Sequence, residues 1–115
     1  MNKKCLPKQA RLLNLNEFVF VFQKPERIKT TKITLLSRPN HLGYPRIGLA
    51  ISKKYIKYAH ERNKIKRHMR ETFRAYQHNL SAKDFVLTIR SKDIIYLTNN
   101  ALIKELEKLW YHHLR

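Results

Sequence analysis

The stretch 61-ERNKIKRHMRETFR-74 sets six Arg or Lys among fourteen residues, yet its apolar residues keep helical spacing. With about 100° of turn per residue, Ile65, Met69, Phe73, Tyr76 and Leu80 share one sector, which reads as a core face. Asn63, Lys66, Arg67, Arg70 and Arg74 gather in a second sector well away from it. Arg62 falls near the apolar stripe, so it belongs to an early turn or to the stripe's edge. Only Glu61 and Glu71 are at hand to neutralise the window. Like charges at i, i+4, such as Lys66 with Arg70 and Arg70 with Arg74, cost roughly a few tenths of a kcal/mol each. Such a face is suited to a polyanion rather than to solvation alone. Arg outnumbers Lys four to two in the window, which favours bidentate phosphate contact. A membrane-surface helix would want bulky apolar residues free of a core, and here the core needs them.

Groups that could catalyse are scattered. Metal-assisted hydrolysis wants carboxylates clustered around the ions, whereas the eight Asp and Glu are spread along the chain. Glu105 and Glu107, at i and i+2, point to different helix faces. The six His offer no positioned acid/base pair. His60-Glu61 begins an H-E-x-x-H pattern, but Lys64 stands where the second His belongs. His112 and His113 are adjacent and diverge on a helix; His41 and His68 read as surface or RNA-facing groups. No catalytic residue and no metal ligand is assigned to this chain.

Bulk properties agree with a binding role. A chain of 115 residues suits one domain, 1–115, with one modest core. At 43% hydrophobic it is too apolar for a disordered basic tail. Its net charge of +17, from 25 basic against 8 acidic residues, calls for an acidic partner. Nucleic acid leads, because each neutralised phosphate releases condensed counterions; an anionic membrane surface is the rival. Cys5 is the only cysteine, so no intramolecular disulfide or thiolate cage is expected, which fits a reducing compartment. No apolar run approaches the roughly 20 residues of a membrane span, and MNKKCLPKQARLL lacks the apolar core of a signal peptide. A cytoplasmic protein is expected.

These groups must be held by a small mixed fold. NLNEFVFVFQ, residues 14–23, has strand composition, but Phe18 and Phe22 sit at i and i+4 and Asn16 could cap a helix; the element stays open between the two. Pro25 ends it. KITLLS (32–37) and RIGLAIS (46–52) read as strands around the turn residues 38-RPNHLGYP-45, predicting a hairpin. The basic run 53-KKYIKY-58 leads into the cationic helix. A buried strand, 84-DFVLTIR-90, follows. A last helix starts near Thr98 or Asn99 with Ile103, Leu106 and Trp110 as its stripe and Leu102 and Leu109 alongside. The order predicts an α+β or α/β sandwich with helices packed on a small sheet. A helix-turn-helix DNA reader needs a partner helix before the basic one, and strands flank it here. RNA readers more often combine a sheet or cleft, aromatics and a cationic surface.

The run 62-RNKIKRHMRE-71 resembles the RN-x-x-KR-x-x-RE signature of the protein subunit of bacterial ribonuclease P. The segment 46-RIGLAISKK-54 is similar to that family's strand followed by Ser-Lys-Lys. In the same way 7-PKQARLLNLNEFVFVFQ-23 resembles its N-terminal segment and 84-DFVLTIR-90 its last strand. The similarity covers essentially the whole chain in order. It implies a single-domain, two-layer α+β sandwich of order α-β-β-β-α-β-α with a left-handed βαβ crossover, against the right-handed norm. It also implies a small basic partner of a large catalytic RNA, in a complex that cleaves the 5′ leader from precursor tRNA. The catalytic groups and their Mg²⁺ would belong to the RNA; no cofactor, membrane or small-molecule substrate is implied for the protein.

By position, the resemblance puts Lys53, Lys54, Arg62, Asn63, Lys66, Arg67 and Arg70 on the catalytic RNA. It puts Arg11, Phe18, Phe22 and Arg90 around a cleft for the single-stranded leader, with both Phe on the first helix. Core packing is the competing reading for the two Phe. Two departures stand out: Leu36 occupies a place where some relatives carry an aromatic, and YIKYAHE is one residue longer than in some relatives. A stand-alone RNA-binding module would explain the charge and the aromatics but not the order of motifs; a DNA-binding domain would explain the charge alone.

Overall fold

The computed structural model describes residues 7–115, so Cys5 lies outside the described residues. After a 3-10 turn at Lys8–Ala10 comes the first α-helix, α1 (Leu15–Gln23). Its cap is Asn14 rather than Asn16: the Asn14 side chain accepts from the Glu17 N–H at 3.1 Å, and the Glu17 carboxylate accepts from the Asn14 N–H at 3.3 Å. This reciprocal box satisfies orphan donors of the first turn. Tertiary burial settles what composition left open. A helix sets Val21, which is fully buried, one turn from Phe18 on the face toward the sheet, and a strand could not bring those two together.

The strands are β1 (Glu26–Lys29), β2 (Ile33–Pro39), β3 (Arg46–Ala50) and β4 (Lys83–Ile89). Nothing in the residues announces β1: ERIK is charged and mostly exposed, as an edge strand often is. The expected hairpin of residues 32–37 with 46–52 does not form. The sheet order is β1-β2-β4-β3, with β4 antiparallel to β2 (Ile33 opposite Ile89) and parallel to β3 (Ile47 opposite Phe85). β4 takes the centre because Asp84–Leu87 are buried whichever face they point to, the pattern of a strand covered on both sides. The turn between β2 and β3 must therefore cross over β4, and it bends at His41 and Gly43, both with positive φ.

The remaining helices are α2 (Ala59–Tyr76) and α3 (Asn99–Tyr111). α2 joins the parallel strands β3 and β4. The Arg90 N–H reaches the Lys32 carbonyl at 2.8 Å, so even-numbered residues of β4 turn their amides toward β2. Their side chains, like that of Val86, face α1. For L-residues this places β3 to the right of β4 when the sheet is viewed from the α2 side with both strands upward. The crossover is left-handed, against the usual preference.

The larger core lies between the sheet and α2 with α3. Ile33, Leu35, Ile47, Phe85 and Leu87 meet Ile65, Met69, Phe73, Leu106 and Trp110 there. Trp110 meets Phe73 and Phe85 edge-on, with centroids at 5.5 and 5.4 Å, and its indole N–H donates to Thr72 Oγ1 at 3.0 Å. This is the expected sandwich, and α1 adds a cover on the sheet's other face over Leu36 and Val86. The α+β class and element order are as anticipated. His68 is not a surface group, however: it is buried on α2 beside the core stripe.

Candidate nucleic-acid interface

α2 presents the cationic face that its sequence describes. Asn63, Arg67 and Arg70 are exposed, while Lys66 and Arg74 are half-buried along its flanks. Among the described residues, Arg46 and Lys83 are the cations that pair with carboxylates. The ridge on α2 is therefore left unneutralised, with its field directed outward. Arg62 is used differently. Its Nη1 donates to the carbonyls of Ile56 and Lys57 at 2.8 and 2.9 Å, fastening the loop before α2. That follows from its place near the apolar stripe. Lys53 and Lys54 are exposed in a turn directly after β3. Ser52 organises that turn, accepting the N–H of Lys54 on its side chain at 3.0 Å and those of Tyr55 and Ile56 on its carbonyl.

A groove of about 260 Å³ lies at the outer edge of β3. The N-terminal segment docks along that edge, with the Leu12 N–H donating to the Ile47 carbonyl at 2.9 Å. Arg11 thereby enters the groove with Leu12 and Leu13, Phe18 comes from α1, Gly48 and Leu49 from β3, and Lys66 and Arg70 from α2. Three cations thus line one groove with one aromatic ring. Gly48 makes this possible: a Cβ there would lie 2.6 Å from the Phe18 ring and 2.9 Å from Leu12 Cδ1. Both neighbours are held by packing, so Gly48→Ala should displace Phe18 and lower stability by about 1–3 kcal/mol, the usual range for overpacking. A urea titration checks this; an unmoved midpoint would mean that the ring shifts freely.

Not all of the expected leader-side residues meet. Arg11 and Phe18 do. Phe22 is 45% exposed and lies outside the groove, next to exposed Val19 in the helical array. Arg90 sits just past β4, where its Nη1 donates to the Thr30 carbonyl at 2.7 Å. Leu36 is buried against Leu12, Val21 and Val86, so in this chain its position belongs to the core.

Arg46 is the residue that sequence reasoning passed over. It grips Asp84 with two bonds of 2.8 Å and Glu17 at 2.9 Å, tying β3, β4 and α1 at one corner. Asp84 is 1% exposed and also accepts from the Asn40 amide at 2.9 Å. Glu17's carboxyl is held below the ordinary range, chiefly by the Leu13 backbone N–H, with Arg46 and the Asn14 N–H adding. The guanidinium of Arg46 is in turn held charged, first by its bonds to Asp84. The available signal was an acid opening an otherwise apolar strand, which needs a cation beside it. A second anchor is Arg38, which lies 3.9 Å over the Phe20 ring and donates to the Phe20 carbonyl at 2.7 Å. Together the two arginines fix the tilt of α1, and hence the Phe18 ring.

Among the described residues, no three His, Cys, Asp or Glu side chains come together to hold a metal, and no helix is long and apolar enough to cross a membrane. The arrangement can bind phosphates and stack a base.

The family described as Ribonuclease P matches residues 6–114 of this chain. The chain is 82% identical over 114 residues to the ribonuclease P protein component of Blochmanniella pennsylvanica, with 99% of each chain covered. It is 53% identical to that of Edwardsiella ictaluri, over all of this chain and 96% of the relative. Among solved structures, the Staphylococcus aureus RNase P protein superposes with a TM-score of 0.82 at 25% identity, covering 90% of this chain and 94% of that one. The Thermotoga maritima RNase P protein gives 0.76 at 26% identity, covering 87% and 94%.

Proposed function

Because the chain belongs to the ribonuclease P protein family, we propose that its β3-edge groove holds the single-stranded 5′ leader of precursor tRNA while the α2 ridge docks on the catalytic RNA. The coarser role comes with the family: this is the protein component that works with ribonuclease P RNA in a tRNA 5′-processing endoribonuclease. The observation that carries the finer reading is that Arg11, Lys66 and Arg70 line a single groove with Phe18. A ring in a groove with cations can stack any base while the cations hold the adjoining phosphates, which suits leaders of differing sequence.

On this reading Asn63, Arg67 and Arg74 contact the catalytic RNA, with Lys53 and Lys54 extending that surface. Arg62 serves as a positioning residue that shapes the loop between them. Phe22 and Arg90 continue the leader track beyond the groove. The catalytic groups and Mg²⁺ reside in the RNA; the protein lowers the repulsion between two polyanions and so raises substrate affinity. The complex is placed in the cytoplasm, where precursor tRNA is made.

The test is cleavage of precursor tRNA by a bacterial ribonuclease P RNA at low Mg²⁺, with and without the protein. Cleavage at the mature 5′ end only when both are present is the expected result. With Phe18→Ala, precursor affinity should fall about tenfold while mature tRNA binds as before, given the usual worth of one stacked base. Equal losses for both RNAs would return Phe18 to the core.

A further inference from the structure

The α2 ridge separates two grooves, and the second has no assigned role. It has a volume of about 190 Å³ and lies between the first turns of α2 and the segment from Ile94 to Leu102. Ile65, Ile94 and Leu102 form a buried apolar floor. At its rim the His60 ring stacks on Tyr58, with centroids 5.9 Å apart and planes at 28°. Tyr58 is 56% exposed, and Lys57 Nζ lies 5.5 Å from its ring centroid. Tyr96, which follows the lining residue Ile95 in the chain, is 80% exposed. Lys64 lines the same rim, and no carboxylate pairs with Lys57 or Lys64 among the described residues. Glu61 and Asn99 complete the lining.

We infer that this second groove binds an unpaired nucleotide of the catalytic RNA, its base stacked on the Tyr58–His60 pair and its phosphates met by Lys57 and Lys64. This rests on the docking of the α2 ridge proposed above. Large aromatic rings left in water beside free cations match what an unpaired nucleotide offers: a π-face and a phosphate. Glu61 can accept from an exocyclic amine and Asn99 can both donate and accept, so this groove can read a base edge. The Phe18 groove, lined by cations and apolar groups, has less means to do so. Continuity selects RNA over a protein partner. The groove adjoins Arg67 and Asn63 on the same helix, and whatever covers the ridge reaches it.

The experiment compares the full chain with the Tyr58→Ala, Tyr96→Ala double variant in binding a ribonuclease P RNA. Dimethyl sulfate then maps base accessibility in both complexes. Both side chains are exposed, so folding is preserved. Affinity for the RNA should fall about tenfold, with the salt slope unchanged because every cation that meets a phosphate is still in place. At least one unpaired base of the RNA should gain reactivity, and preference for precursor over mature tRNA should persist. Lys64→Ala should instead lower the salt slope by about one. Affinity within twofold of the parent together with an unchanged footprint overturns the proposal. If the parent chain itself does not bind the RNA, the docking of the α2 ridge fails first and this inference falls with it.

Discussion

Replacing Lys66 and Arg70 together by Ala should weaken precursor tRNA binding by the holoenzyme about a hundredfold, near tenfold for each charge-assisted bond removed. The slope of log affinity against log salt should fall by about two, one for each phosphate no longer neutralised. Both residues line the groove with Arg11 and Phe18, although resemblance alone assigns them to the catalytic RNA. The two assignments separate on substrate. Bonds to the leader favour precursor and leave mature tRNA untouched, so their removal weakens precursor alone. Bonds to the catalytic RNA support assembly, so their removal affects both tRNAs alike. Arg67→Ala is the control: it lies on the exposed ridge outside the groove and should weaken assembly without changing the ratio of precursor to mature binding. If the double variant behaves like Arg67→Ala, the groove is not the leader's path.

The second large effect is on stability. Arg46→Ala would leave Asp84, 1% exposed, with the Asn40 amide as its remaining side-chain partner. Breaking a buried pair by removing one partner costs about 3–5 kcal/mol, because the surviving charge is uncompensated. That is a large share of the roughly 5–15 kcal/mol that holds a small domain together. Arg46 also bonds Glu17 at 2.9 Å, so α1 should loosen with the corner and Phe18 should lose its fixed place. The check is urea unfolding, read as a midpoint shift at constant slope. Replacing both charges, as Arg46→Met with Asp84→Leu, should recover much of the stability, since well-packed apolar groups can stand in for a buried pair. A single-variant effect below about 1 kcal/mol, the range of surface pairs, would mean that water reaches Asp84.

Much was legible in the residues because it is local. Helical periodicity from Glu61 to Arg74 placed Ile65, Met69 and Phe73 in the core and Asn63, Arg67 and Arg70 in water, as the structure has them. The same wheel set Arg62 apart, and its bonds to the Ile56 and Lys57 carbonyls give the reason. The motif order carried the family and the α+β class. Where local pattern fell short, the deciding interaction was distant in sequence. Composition could not choose helix or strand for residues 14–23; burial of Val21 against Leu36 and Val86 did. The turn between β2 and β3 looked like a hairpin because adjacent strands usually pair, but β4, from more than thirty residues later in the chain, fits between them and is buried on both faces from Asp84 to Leu87.

The sequence by itself determined that this is a strongly basic α+β chain of the ribonuclease P protein family, for charge, periodicity and motif spacing are properties of neighbouring residues. Only the tertiary structure decided which cations act together. Arg11 shares a groove with Lys66 and Arg70 because the N-terminal segment hydrogen-bonds along β3, and Phe18 joins them because Gly48 has no side chain to block it. Those residues lie up to 59 positions apart in the chain, and it takes a folded sheet edge to bring them into one groove.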